Sequence, residues 1–131
     1  MRYEPQFFQL KEFRCPCCHK GLVASHLVFF LDQLRRAWGG PIQVNSGWRC
    51  PKHNKEVGGA VSSRHLIGCA ADITPIYGSD LLGAFKIMVK DLIKYRLDWE
   101  VIEYPWGMHV GIPREETVYP WNGGGITIIT K

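Results

Sequence analysis

Residues Trp99 to Ile112 read WEVIEYPWGMHVGI, two β-type runs on either side of Pro105-Trp106-Gly107. Valine, isoleucine, tyrosine and tryptophan suit a pleated, half-buried surface, and proline with glycine marks a turn, so this stretch predicts a β-hairpin. Working outward, Cys69 to Ile73 and Ile42 to Val44 are further short β-type runs, the latter ending in the turn cluster Asn45-Ser46-Gly47. Ile126 to Ile129 is expected to add a last strand. Two longer segments carry the helical period instead. From Ala24 to Trp38, Leu27, Phe30, Leu31 and Leu34 recur at helical spacing, with Ser25 as the expected N-cap and Gly39-Gly40-Pro41 as the stop. Ser79-Asp80 opens a second amphipathic helix with Leu81, Leu82, Phe85, Met88, Val89, Leu92 and Ile93 on its core face and Lys86, Lys90 and Lys94 on an outer face. Between the two, residues 52–64 are polar and glycine-bearing and read as a short helix followed by an exposed loop leading to His65. Two helices on a small antiparallel sheet make an α+β domain.

The 131 residues, 46% of them hydrophobic, suffice for one buried core and speak against disorder. No repeat or linker divides the chain, which is read as a single domain over residues 1–131 and taken as a monomer. No apolar run approaches the ~20 residues that span a bilayer, and the Met-Arg-Tyr-Glu-Pro start lacks the apolar region of a signal peptide. Cytoplasmic synthesis without a membrane partner is the expectation. Sixteen Lys and Arg against twelve Asp and Glu leave a scattered charge of +4, which does not demand a nucleic acid and suits an acidic polymer such as a cell wall equally well. Five cysteines is an odd number, so a complete disulfide framework is excluded and a reducing compartment fits better.

Three residues suit a divalent metal: His65, Asp72 and His109. Asp72 lies in Cys69-Ala70-Ala71-Asp72-Ile73, where a carboxylate without a cation or several donors would be costly to bury. His109 sits in the equally apolar Trp106-Gly107-Met108-His109-Val110. Two imidazoles and a carboxylate leave a fourth position for water, the arrangement of a catalytic zinc. If the hairpin loop is Tyr104 to Met108, Glu103 pairs opposite His109 and becomes the expected general base, whereas Glu100, of opposite strand parity, should face away. Arg49 follows the turn after the Ile42 strand, where its guanidinium can fork onto a substrate carboxylate or peptide oxygen. Ser63 stands two residues before His65 and can hydrogen-bond near metal or substrate. Trp48 and Trp106 are candidate walls of a substrate cleft.

The run from Gly40 through Asn45-Ser46-Gly47-Trp48-Arg49-Cys50-Pro51 is followed by His53-Asn54, Val57-Gly58-Gly59-Ala60, Ser63-Arg64-His65, Gly68-Cys69-Ala70-Ala71-Asp72-Ile73 and Met108-His109-Val110. These motifs resemble the zinc D-alanyl-D-alanine carboxypeptidase and L-alanyl-D-glutamate endopeptidase family of peptidoglycan hydrolases, over most of the chain from about Phe7 to Ile112. The resemblance implies a small α+β fold shared with the Hedgehog signalling domain and one catalytic Zn²⁺ held by His65, Asp72 and His109. It also implies an acidic base shortly before the last histidine, and an arginine, Arg49, that binds substrate and stabilises the oxyanion. Many relatives are bacteriophage lysins or tail-associated wall hydrolases, which implies a peptidoglycan stem peptide as partner, reached through a holin or from a virion. Well-known members place the acid three residues before that histidine; here the position holds Trp106 and the nearest upstream acid is Glu103.

Glu12-Phe13-Arg14-Cys15-Pro16-Cys17-Cys18-His19 resembles the same family's cysteine-bearing leader. Cys15, Cys17, Cys18 and His19 are too bunched for the paired halves of a structural zinc site, so free thiols packed under the first helix are expected instead. Two other functions compete with the peptidase. One is a zinc-containing module that binds wall peptides without cutting them, motivated by Trp106. The other, a small basic nucleic-acid binder built on the Cys15 to His19 cluster, leaves His65, Asp72 and His109 without a role.

Overall fold

Antiparallel pairing builds two sheets in the computed structural model, which describes residues 3–76, 79–115, 117–121 and 129–130. In chain order the elements are β1 (Gly21–Ala24), α1 (Ser25–Trp38), β2 (Ile42–Ser46), α2 (Pro51–Glu56), β3 (Ala70–Pro75), α3 (Leu82–Ile93), β4 (Glu100–Tyr104), β5 (Gly107–Gly111), β6 (Thr117–Trp121) and β7 (Ile129–Thr130). Single 3₁₀ turns lie at Leu10–Phe13, Arg64–Ile67 and Ser79–Leu81. The larger sheet has the order β2-β3-β5-β4 and the smaller one β1-β6-β7. The architecture is α+β, as expected, with a second sheet that the sequence reading missed. β1 runs straight into α1, and β6 contains Pro120, which argues against a strand in a linear reading. Of the strand expected over 126–129, residues 126–128 lie outside the described residues, and Ile129 pairs with Val118.

The core forms where the apolar stripes of α1 and α3 meet the larger sheet. Leu27, Phe30, Leu31 and Leu34 of α1 and Phe85 and Val89 of α3 are buried with Ile73, Met108 and Val110. Full burial of each such side chain contributes about 1.5–3 kcal/mol. Trp38 closes over Phe85 edge-on at 5.1 Å, and α1 ends there because Gly39 adopts φ 78° and returns its N–H to the Arg35 carbonyl. Ser25 is the first helical residue rather than the N-cap, and its hydroxyl is spent on Glu115 at 3.1 Å. The core face of the second helix is narrower than expected, since Leu81 and Leu92 are exposed. Its lysine row is not simply solvated: Lys86 donates to the Tyr104 carbonyl and Lys90 pairs with Glu103 at 3.1 Å, so both reach across to β4. Among the described residues no helix is long and apolar enough to cross a membrane.

One buried charge ties down the N-terminal segment. Asp32 of α1 accepts from the Tyr3 hydroxyl and from the backbone N–H groups of Gln6 (2.8 Å) and Phe7 (2.9 Å). Asp32→Ala is expected to cost about 2–3 kcal/mol through loss of these charge-assisted bonds, read as a lower urea midpoint with an unchanged slope. An unshifted midpoint would show that the contacts contribute nothing.

The hairpin departs from expectation in a way that matters for the site. Its loop is the two residues Pro105 and Trp106, with Tyr104 opposite Gly107, Glu103 opposite Met108 and Ile102 opposite His109. Gly107 belongs to β5 because it presses on β3: a Cβ there would stand 2.2 Å from the Ile73 carbonyl oxygen. A one-residue change in register moves every side chain to the other face. Glu103 accordingly lies on the side away from His109.

Candidate active site

Neighbouring strands supply two of the three converging donors. Asp72 of β3 is directly opposite His109 of β5, and the His109 Nδ1 lies 2.8 Å from Asp72 Oδ1. His65 comes from the 3₁₀ turn Arg64–Ile67, which the Ser63 hydroxyl caps by accepting the His65 N–H at 3.2 Å. The ring is oriented by a 2.6 Å contact between its Nδ1 and the Gly47 carbonyl. A carbonyl only accepts, so Nδ1 carries the proton and Nε2 presents a lone pair. That Nε2 is buried with no hydrogen-bond partner, although it stands 3.3 Å from Asp72 Oδ1. One ligand atom from each of His65, Asp72 and His109 therefore lies within 4.8 Å of the others, all three residues being buried. An orphaned imidazole nitrogen beside a carboxylate and a second imidazole fits a divalent ion of borderline softness.

The electrostatics favour an ionised Asp72. Burial pushes the Asp72 carboxyl up, but the hydrogen bond from His109 and the electrostatic influence of the two neighbouring imidazoles overcome it and hold the group well below the usual carboxylate range. Burial disfavours a charged His109, yet the carboxylates of Asp72 and Glu100 raise its pKa above the ordinary value. The pocket is built to hold positive charge against an ionised Asp72.

Arg49 stands on the same side. Its Nη2 is 3.5 Å from Asp72 Oδ2, its Nε donates to Ser46 Oγ at 3.2 Å, and its Nη1 donates to Asn54 Oδ1 at 3.3 Å. Asn54 is buried and held in turn by donating to the Ala60 carbonyl. This brace depends on Gly59, where a Cβ would stand 2.1 Å from Asn54 Oδ1 and 2.9 Å from Arg49 Nη1. No role for Asn54 was assigned from the sequence; the available signal was an amide five residues after Arg49 and just ahead of Gly58-Gly59.

An open cleft of about 360 Å³ exposes this constellation, lined by Arg49, Ser63, Arg64, His65, Glu100, Ile102, Tyr104 and His109 among others. Glu100 is the carboxylate at its wall. Its Oε1 lies 3.0 Å from His109 Nε2 and its Oε2 3.4 Å from Arg64 Nε. The parity argument correctly separated Glu100 from Glu103, but the register reverses which of them faces the histidine. Glu103, expected as the base, is half-exposed and paired with Lys90 on the opposite face. Trp48 does not line the cleft: its indole N–H donates to the Leu66 carbonyl and braces the turn that carries His65. Trp106 sits at the hairpin tip, stacked on Tyr104 with ring centroids 4.9 Å apart, and it is Tyr104 that faces the cleft. Ser63 does line it.

Comparison with known proteins finds relatives among the peptidases. The sequence model of a family described as Peptidase M15 matches residues 6–89, more than half of the chain. The zinc D-Ala-D-Ala carboxypeptidase of Streptomyces albus G is 50% identical over 44 residues, which are 33% of this chain and 17% of that protein. The match thus spans about a sixth of the relative's length.

Proposed function

From the premise that this chain belongs to the peptidase M15 family, we propose that it is a zinc-dependent peptidase acting on the stem peptide of peptidoglycan, with His65, Asp72 and His109 holding the ion. The observation that carries the reading is the buried, unpartnered Nε2 of His65 aimed at Asp72 beside His109. When bound there, zinc supplies Lewis acidity, polarising a carbonyl and lowering the pKa of water towards about 7. Glu100 replaces Glu103 as the proton carrier, because it is the carboxylate that lines the cleft next to His109. It takes the proton of the attacking water on a carboxylate oxygen and returns it to the leaving amine. Arg49, steadied by Ser46 and Asn54, brings a fixed positive charge to the side where the scissile carbonyl oxygen becomes negative. The partly exposed guanidinium of Arg64, held by Glu100 and the Asp98 carbonyl at the cleft wall, adds a second cation suited to a substrate carboxylate. In this reading the chain acts as a monomer and reaches the wall through a holin or from a virion, the latter part resting on the relatives named by the sequence resemblance.

The test is release of free amino groups from purified peptidoglycan, and of free alanine from a peptide ending in D-Ala-D-Ala, by zinc-loaded protein. Activity is expected to vanish on treatment with 1,10-phenanthroline and to return with added zinc. Undiminished release from metal-free protein would overturn the mechanism. Stoichiometric zinc with no product from either substrate would establish instead a wall-binding module.

A further inference from the structure

The cysteines that look too bunched to bind metal acquire a partner from elsewhere in the chain. The Cys15 to His19 segment is a tight turn: the His19 N–H returns to the Cys15 carbonyl at 2.8 Å and the Cys15 N–H donates to the Lys20 carbonyl at 2.6 Å. His19 takes φ 63°, the single non-glycine residue with positive φ among the described residues. Cys50, at the start of α2, is brought against this turn, its sulfur 3.7 Å from that of Cys15. Sulfurs of Cys15, Cys18 and Cys50 all lie within 4.8 Å of one another. The missing half of the set is therefore supplied by tertiary contact, and the expectation of free thiols packed beneath a helix fails for Cys17 and Cys18, which are exposed.

We propose that Cys15, Cys18 and Cys50 form a second, structural zinc site. Two thiolates spaced Cys-x-x-Cys on a turn, with a third from a separate segment, supply three of the four donors of a tetrahedral soft-ligand site, the fourth position being open to solvent. Cys17, exposed on the same turn, lies outside this trio. The site clamps the N-terminal turn to the segment that carries the active-site residues. Arg49 is the neighbour of Cys50, and the Trp48 N–H already binds the Phe13 carbonyl at 2.9 Å. Its ion therefore holds the floor on which Arg49 and the Gly47 carbonyl are set.

The experiment is metal analysis of the full chain, purified from zinc-supplemented culture without chelators, beside H65A, C18S and C50S, together with cobalt-substituted protein. Two zinc ions per chain are expected in the parent, falling to one in each variant. H65A should keep the intense thiolate-to-cobalt absorption in the near ultraviolet, and C18S should lose it. C18S, altered at an exposed position, guards against C50S simply failing to fold. Zinc content unchanged in C18S, or a Cys15–Cys50 disulfide found by non-reducing mass spectrometry, would overturn the proposal. A single zinc lost in C18S but kept in H65A would sustain this site while removing the peptidase reading, so the two stand or fall separately.

Discussion

His65→Ala is expected to lower kcat/KM by about 10³-fold or more, about 4 kcal/mol of transition-state stabilisation, and to remove zinc from the site formed with Asp72 and His109. The residue does two things that alanine cannot. Its Nε2 lone pair points into the donor cluster, and its Nδ1–H fixes that orientation through the Gly47 carbonyl. Losing the Gly47 hydrogen bond costs about 1 kcal/mol, small against the roughly 5–15 kcal/mol that hold a domain folded. The variant should therefore keep its far-ultraviolet circular dichroism while losing activity. A folded His65→Ala protein with wild-type turnover would show that the donor cluster is a structural polar network and nothing more.

Glu100→Gln and Glu103→Gln are expected to behave oppositely. Glutamine at position 100 keeps the size of the side chain but cannot accept a proton, so activity should fall by about 10²–10⁴-fold with zinc retained. Glutamine at position 103 removes an exposed partner of Lys90, a surface pair worth about 0–1 kcal/mol, and should leave turnover unchanged. Glu100 also touches His109 Nε2 and Arg64, so a purely positioning role has to be separated from proton transfer. Glu100→Asp does this: a shortened carboxylate that moves protons restores part of the rate, whereas a side chain needed only to orient His109 is replaced as well by glutamine. Loss of activity in Glu103→Gln alone would mean that the hairpin register in solution differs from the one described here.

The same hairpin shows where sequence reading stops. Much was legible in residue type and period: α1 from its 3.6-residue spacing and its Gly39 stop, the short β runs from their branched and aromatic residues, and the candidate donors from polar side chains set in apolar strands. β1 and β6 were not legible, one hidden against a helix start and the other interrupted by Pro120. Cys50 could not be joined to Cys15 and Cys18 by spacing, because the contact crosses 35 positions. Asn54 looked like any helix-surface amide until Gly59 let the backbone close over it.

By itself, the sequence determined the α+β class, the family resemblance and the kinds of donor available to a metal. It also determined that Glu100 and Glu103 occupy opposite faces of β4, since strand side chains alternate. Which face meets His109 was decided only in three dimensions. Gly107 fits against the Ile73 carbonyl as no larger residue can, which draws it into β5, shortens the turn to Pro105-Trp106 and shifts the pairing by one residue. Alternation is a local property of the chain; register depends on a contact between strands more than thirty residues apart.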